Sequence, residues 1–380
     1  MRRKKILAVI PSISFYGKER ANFEVYKLLG ENEKIQLSII VNRSADKRLL
    51  TIASMFHSYK IIFPERSNHK YKYLRYLFHL FISNLWFIYL LFKIRPHILY
   101  LCTENTFYDF FIPLAFVKSK IIYRIGDEPS FPKLTNYKFN SFVWNKLVCK
   151  KVDTFVCVSK YILDKVNELG RISSNDKVIY SFPPTRYIIS KLDFDFKFRE
   201  QPHIGYIGQI TPEKGVDMLL EAAIRILNEG YSASFYFAGK LDYDPEFSHQ
   251  IERIHLKSEY TDKIFFLGEV DDLNTFLDNM DFICIPSVKE EPLANVLIEA
   301  KGMKKPCIIF KSGGLPELIT HKVDGLICEE RTVDSLINEI LYYIKSPEIV
   351  DIHSKNSYDS INNLAIDYNH YVTNWNKVFI

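Results

Sequence analysis

Several common signatures are missing from this 380-residue chain. None of its six cysteines forms a CxxC pair, and most lie in apolar, strand-like runs. That argues against a cysteine-rich metal site or a disulfide framework, and suits small buried thiols in a reducing compartment. The start "MRRKK" leads only into "ILAVIP", too short an apolar run for the core of a secretory signal. No stretch resembles a Walker A loop, and the basic residues form no recognisable nucleic-acid motif. The expectation is a cytoplasmic protein that binds no nucleic acid.

What is present is a globular composition, 47% apolar, long enough for two domains. The net charge of +5 hides an asymmetry. Residues 1–190 hold 31 Lys and Arg against 14 Asp and Glu, a net of +17; residues 191–380 hold 19 against 31, a net of −12. A basic first half suits an anionic partner such as a membrane surface or a phosphorylated acceptor. The stretch 76–92, "YLFHLFISNLWFIYLLF", approaches transmembrane length but contains His79, Ser83 and Asn84. A buried helix, a membrane-surface helix and a spanning helix all fit it; the buried helix is the expectation.

Apolar runs at 5–11, 35–41, 96–104, 119–127 and 152–159 read as strands, with helical stretches between them. The pattern pauses over 176–202, where prolines and mixed charge interrupt it. It resumes with strands at 203–210, 233–239, 263–270, 282–287 and 306–314. Strands alternating with helices imply parallel sheets covered on both faces. The expectation is an α/β protein of two tandem Rossmann-like domains, 1–190 and 203–354, with a linker at 191–202. A helical segment over 355–380 is expected to pack back on the first domain. Ligands of such sheets sit beyond the carboxyl ends of the strands, so the site is expected in a cleft between the domains.

Four constellations fall at strand ends. In "KEEPLANVLIEAKG" (289–302), Pro292 precedes a helix whose first amides, around Leu293, Ala294 and Asn295, suit a diphosphate. Glu291 sits in the loop before it. Glu299 lies about 6 Å along the helix axis from Asn295, where a carboxylate can accept both hydroxyls of a ribose. In "GYIGQITPEKG" (205–215), Gln209 and Lys214 flank a turn that suits a phosphate. "FKSGGLPEL" (310–318) permits close backbone approach at Gly313 and Gly314, and "SFYGKER" (14–20) places Gly17 in the loop after the first strand.

Together these residues resemble glycosyltransferase family 4, retaining nucleotide-sugar enzymes of the GT-B fold. The family's E-x7-E motif is matched by Glu291 through Glu299, its G-R-x-x-x-x-K-G by Gly208 to Gly215, and its G-G-x-x-E by Gly313, Gly314 and Glu317. The N-terminal G-G-x-E-R is matched in part from Tyr16 to Arg20. There are departures: Gln209 stands where the family has arginine, Ala294 where it has glycine, and Gly126 or Asp127 where it has a histidine. The resemblance implies transfer of a sugar, UDP-linked by preference, to a glycan or lipid-phosphate-linked acceptor at the inner face of the plasma membrane, in polysaccharide or lipopolysaccharide synthesis. Lys214, Gln209, Gly17 and the amides of Leu293 to Asn295 would hold the diphosphate without a metal or other cofactor. Glu291 would hold the donor sugar, Glu299 the ribose, and Asp127 would take the histidine's role. Two other readings fit the same residues: a nucleotide-sugar epimerase or phosphorylase on this scaffold, and a degenerate binding scaffold, suggested by Gly126 and Gln209.

Overall fold

A computed structural model describes residues 3–15, 17–64, 70–129, 138–182, 198–241, 244–363 and 368–380. The chain forms two compact units, Met1–Tyr180 with Asn369–Ile380, and Ser181–Tyr368. The change of unit at Tyr180 precedes the expected domain end at 190, and the return at Asn369 comes later than the expected 355. Residues 191–197 of the expected linker lie outside the described residues.

The first unit holds a seven-stranded sheet of β1 (Lys4–Ile10), β2 (Ile35–Asn42), β3 (His57–Ile61), β4 (Ile98–Leu101), β5 (Lys120–Ile125), β6 (Thr154–Cys157) and β7 (Lys177–Val178). The order is β3-β2-β1-β4-β5-β6-β7, with every pairing parallel. Such strands are covered on both faces, which is why "ILAV" of β1 is apolar without alternation and Ile6 to Val9 are wholly buried. The chain order reverses between β1 and β4. Helix α1 (Gly17–Glu31) follows β1 and buries Ala21, Val25, Leu28 and Leu29, a helical spacing. The helix Tyr368–Phe379 belongs almost wholly to this unit. Trp375 meets Tyr100 of β4 edge-on at 5.9 Å, and Lys4 Nζ donates to the Phe379 carbonyl at 3.0 Å.

Three further helices of this unit are α2 (Lys47–Ser54), α3 (Lys70–Ile94) and α4 (Asn105–Asp109), followed directly by α5 (Phe111–Phe116). Helix α3 corrects the expectation of a buried helix at 76–92. It buries one face only, through Ser83, Phe87, Leu90 and Ile94, while Phe78, Phe81, Leu85 and Tyr89 are exposed. Ser83 and Asn84 are what fasten it. Ser83 Oγ donates to the Ile62 carbonyl, and Asn84 Nδ2 donates to the Asp109 carbonyl at 2.8 Å.

The second unit repeats the plan with six strands: β8 (His203–Ile207), β9 (Ser234–Ala238), β10 (Ile264–Gly268), β11 (Phe282–Ile285), β12 (Cys307–Phe310) and β13 (Gly325–Cys328). The order β10-β9-β8-β11-β12-β13 is again parallel throughout and reverses between β8 and β11. The helix Val216–Asn228 covers one face through Leu219, Leu220, Ala223 and Ile226. The helix Pro347–Asn363 stays with this unit, where His353 Nδ1 lies 2.8 Å from the Tyr343 hydroxyl and Ser354 Oγ donates to the Lys304 carbonyl. All six cysteines are free, five of them buried. Burial pushes the Cys149 thiol up to about 11 and the Cys307 thiol to about 12, so they stay protonated near neutrality.

Candidate functional site

In the second unit the loops after β8 and β11 leave the two strands that flank the order reversal, the position where such sheets gather ligands. Glycines bring these loops together. Gly215 has φ +68, and a Cβ there would collide with the Pro286 carbonyl, so only glycine lets the loop after β8 lie against the end of β11. The Glu213 carbonyl then accepts from the amides of Val288 at 2.9 Å and Lys289 at 3.1 Å. This seam delivers Lys214 to Glu291, and Lys214 Nζ donates to Glu291 Oε1 in an ion pair. The Glu291 side chain is only 12% exposed and that of Lys214 31%.

Glu291 is held from several sides. Ser287 Oγ donates to the same Oε1 at 2.9 Å. The Glu291 amide donates to Ser312 Oγ at 3.1 Å, and its carbonyl accepts from the Gly314 amide at 2.7 Å. Gly313, at φ +51, lies so close that a Cβ would strike the Glu291 backbone. Its amide donates to Glu290. Arg331 closes the arrangement: Nη1 donates to the Val288 carbonyl at 2.6 Å, Nε to the Lys311 carbonyl at 3.1 Å, and Nη2 to Glu290 Oε1 at 2.5 Å. The charge of Glu291 also reaches Tyr206. Burial chiefly, and then that charge, hold the Tyr206 phenol well above its usual range. The Tyr206 hydroxyl donates to the Gln209 carbonyl at 2.6 Å, fixing the turn after β8.

The helix Asn295–Gly302 begins four residues after Glu291, with Ala294 at its N-cap providing no side-chain cap. Leu293, Ala294 and Asn295 are half-buried, and Glu299 is buried. Lys301 of the same helix pairs with Asp324 at 2.8 Å, both buried, and also donates to the Leu318 carbonyl.

The first unit contains the other expected residues. Gly17 opens α1. Asp127, beyond β5, pairs with Lys18 at 2.5 Å and is 69% exposed. Burial opposes the Lys18 ammonium, but the charge and hydrogen bond of Asp127, with Cys102 and Glu19, outweigh it and raise its pKa. A Cβ on Gly126 would touch Lys18 Cδ and Cγ at 3.3 Å, so the lysine stem occupies the space a side chain at 126 would need.

Seven of the expected residues thus share the second unit: Gln209, Lys214, Glu291, the run Leu293 to Asn295, and the buried Glu299. Gly17 and Asp127 share the first. Lys18, Ser287, Glu290, Ser312 and Arg331 were not anticipated. Among the described residues, no three of His, Cys, Asp and Glu come together as a metal site.

Residues 201–346 match the family model of the glycosyl transferases group 1. The chain is related to that family and has the GT-B fold. An uncharacterised glycosyltransferase of Methanocaldococcus jannaschii is 28% identical over 199 residues, 52% of this chain and 51% of the relative. The chain thus spans about half the length of the curated relatives it matches. Two solved GT-B proteins superpose over nearly everything. A glycosyltransferase from Rickettsia africae has a TM-score of 0.79 at 16% identity, covering 100% of this chain and 98% of that one. HepE of Anabaena, solved with UDP-glucose, has a TM-score of 0.77 at 17% identity, covering 98% of each chain. At these identities the GT-B likeness concerns the fold, and the matched segment contains Lys214, Glu291 and Arg331.

Proposed function

We propose that this protein is a retaining glycosyltransferase of family 4. It takes a sugar from a nucleoside diphosphate, by preference UDP, and passes it to a glycan or a lipid-phosphate-linked acceptor in cell-surface polysaccharide or lipopolysaccharide synthesis. The observation that carries this reading is the Lys214–Glu291 pair at the order reversal of the second unit, braced by Ser287, Ser312 and the Gly313–Gly314 loop. The complex of HepE with UDP-glucose supports the choice of donor.

The bond from the anomeric carbon to the diphosphate oxygen breaks, and the nucleoside diphosphate leaves with the electron pair. The acceptor hydroxyl oxygen forms the new bond on the same face. Its proton passes to the departing phosphate. The charge that develops on the diphosphate needs fixed donors already in place. Lys214 supplies the ammonium, with Gln209 and the amides of Leu293 to Asn295 of the same unit as further donors. Without a donor, Glu291 neutralises Lys214; a bound diphosphate takes over the lysine and leaves the Glu291 carboxylate to accept from donor-sugar hydroxyls. Glu299 accepts from the ribose. Asp127 takes the role that the family gives to a histidine. The acceptor's anionic group suits the first half of the chain, with its net charge of +17 from 31 basic and 14 acidic residues. The setting is the cytoplasmic face of the membrane, and the transfer requires no metal.

The test is turnover of a panel of nucleotide sugars with phosphorylated lipid and glycan acceptors, comparing wild type with Lys214→Ala and Glu291→Ala. One donor should be consumed in an acceptor-dependent way, and either variant should lose about 10²–10³-fold in kcat. Failure of folded wild type to consume any donor in the panel would overturn the proposal.

A further inference from the structure

Helix α3 has two apolar faces, and only one of them is covered. At about 100° per residue, the buried positions Ser83, Phe87, Leu90 and Ile94 lie on one side of the helix. Leu74, Phe78, Phe81, Leu85 and Phe92 lie on the opposite side, spaced three, four and seven residues apart. They are 41–74% exposed together with Leu77 between them. Leu74–Ile94 has a mean hydropathy of 1.7, yet only 22% of its most apolar window is buried.

The exposed face continues onto neighbouring elements of the same unit. Ile112 and Phe116 of α5 are 61% and 81% exposed. Phe139 and Phe142, on the helix Lys138–Val143, lie 5.8 and 6.2 Å from Phe111 of α5 and are half exposed. An apolar surface on this scale marks an interaction site.

The charge around it identifies the partner. The chain has no acidic residue between Glu65 and Glu104, between Asp109 and Asp127, or between Glu128 and Asp153. Those intervals supply exposed cations on the elements that form the face: Arg75 and Lys93 on α3, Lys118 just after α5, and Lys138 and Lys146 beyond it. Lys151 Nζ donates to the Val117 carbonyl at 3.0 Å, next to Phe116. Apolar and aromatic side chains bordered by cations, on elements that carry no acid of their own and beside an Asp109 that is buried, suit the headgroup boundary of an anionic bilayer. A spanning helix does not fit, because Ser83, Asn84 and Phe87 fasten the other face to the unit.

We propose that the outward face of α3, with α5 and the helix Lys138–Val143, docks the first unit onto anionic lipid, lying in the interface without crossing the membrane. This would bring a lipid-linked acceptor to the transfer proposed above, but it rests on the surface of the first unit alone. Vesicle binding and donor turnover are separate measurements, so either proposal can fail while the other stands.

The protein contains its own reporter. Of its three tryptophans, Trp86 is 52% exposed, whereas Trp144 and Trp375 are buried. Wild type is mixed with vesicles of phosphatidylglycerol and phosphatidylcholine, and separately with phosphatidylcholine alone, while tryptophan emission and co-sedimentation are followed. The anionic vesicles should shift Trp86 emission to the blue and pull the protein down, and added salt should weaken the effect. The double variant Phe78→Ser, Phe81→Ser should lose about a hundredfold in partitioning. Lys118→Glu with Lys138→Glu should lose binding while the apolar face stays intact. Both changes fall on exposed side chains, so far-UV circular dichroism should match wild type. Unchanged Trp86 emission on every vesicle would overturn the proposal, as would equal binding by the variants. A concentration-dependent dimer that shields Trp86 from a soluble quencher before lipid is added would assign the face to a second copy and overturn it too.

Discussion

Each unit places a lysine from the loop or helix after its first strand against an acid beyond another strand of the same sheet. In the first unit the pair is Lys18 and Asp127, beyond β1 and β5; in the second it is Lys214 and Glu291, beyond β8 and β11. Asp127 follows a strand two places from β1 and Glu291 the strand directly beside β8, and their surroundings differ as well. Asp127 is 69% exposed, whereas the Glu291 carboxylate is 12% exposed, bonded by Ser287, and carried on a backbone bonded to Ser312 and Gly314. Both units thus carry a lysine–acid pair beyond their strands, but of the two acids Glu291 is the braced one. The brace leaves the Glu291 carboxylate little freedom, whereas the Lys18–Asp127 pair is open to solvent on its acidic side.

The largest expected effect comes from exchanging the acids. Glu291→Gln should lower kcat by about 10²–10³-fold, while Asp127→Asn should cost less than about tenfold, in the same donor-turnover assay. Equal losses would remove the distinction between the two pairs.

Next come the glycines. Gly215→Ala puts a methyl into the Pro286 carbonyl at φ +68 and should destabilise the protein by about 3 kcal/mol. Gly170 of the first unit has φ +85 but nothing within 4 Å of a Cβ, so Gly170→Ala should cost about 1 kcal/mol from backbone strain alone. Thermal or urea unfolding of the two variants checks the order.

Lysines of opposite sign give the third test. Burial lowers the Lys305 ammonium from 10.5 to about 8, against the charges of Asp278 and Asp281. Between those values the unfolded chain binds the extra proton, so wild type should gain stability with rising pH relative to Lys305→Met, by up to about 3 kcal/mol. Lys18 is raised above 10.5, so its contribution is complete below that pH and is lost as pH rises through its folded value. Lys18→Met should therefore differ from wild type below pH 10.5 and converge with it above. Parallel curves for either variant would contradict the assignment. The smallest effect is that of Asp127→Asn on stability, within about 1 kcal/mol in chemical unfolding, because the pair is solvated.

Much of this plan was legible in the chain. Uninterrupted apolar runs such as "ILAV" and "FICI" marked the parallel strands, since burial on both faces removes alternation. Lys214, Glu291 and Glu299 stood out because their spacing around a turn and a helix start has a chemical use. The brace did not stand out. Ser312 lies 21 residues from Glu291, and Arg331 lies 41 from Glu290, so only the parallel crossovers bring them together. Lys18 and Asp127 are 109 residues apart for the same reason. Hydropathy recognised α3 as apolar but could not say which face the unit would cover. That followed from Ser83 and Asn84, whose polarity argued against a spanning helix and whose bonds turned Phe78 and Phe81 outward.

The most direct measurement is calorimetric titration of UDP into wild type, Lys214→Ala and Asp127→Asn. Wild type and Asp127→Asn should bind alike, and Lys214→Ala should bind at least about tenfold more weakly, a loss of about 1.4 kcal/mol. UDP affinity unchanged by Lys214→Ala, or lost instead in Asp127→Asn, would contradict the account that the braced pair of the second unit is the diphosphate site.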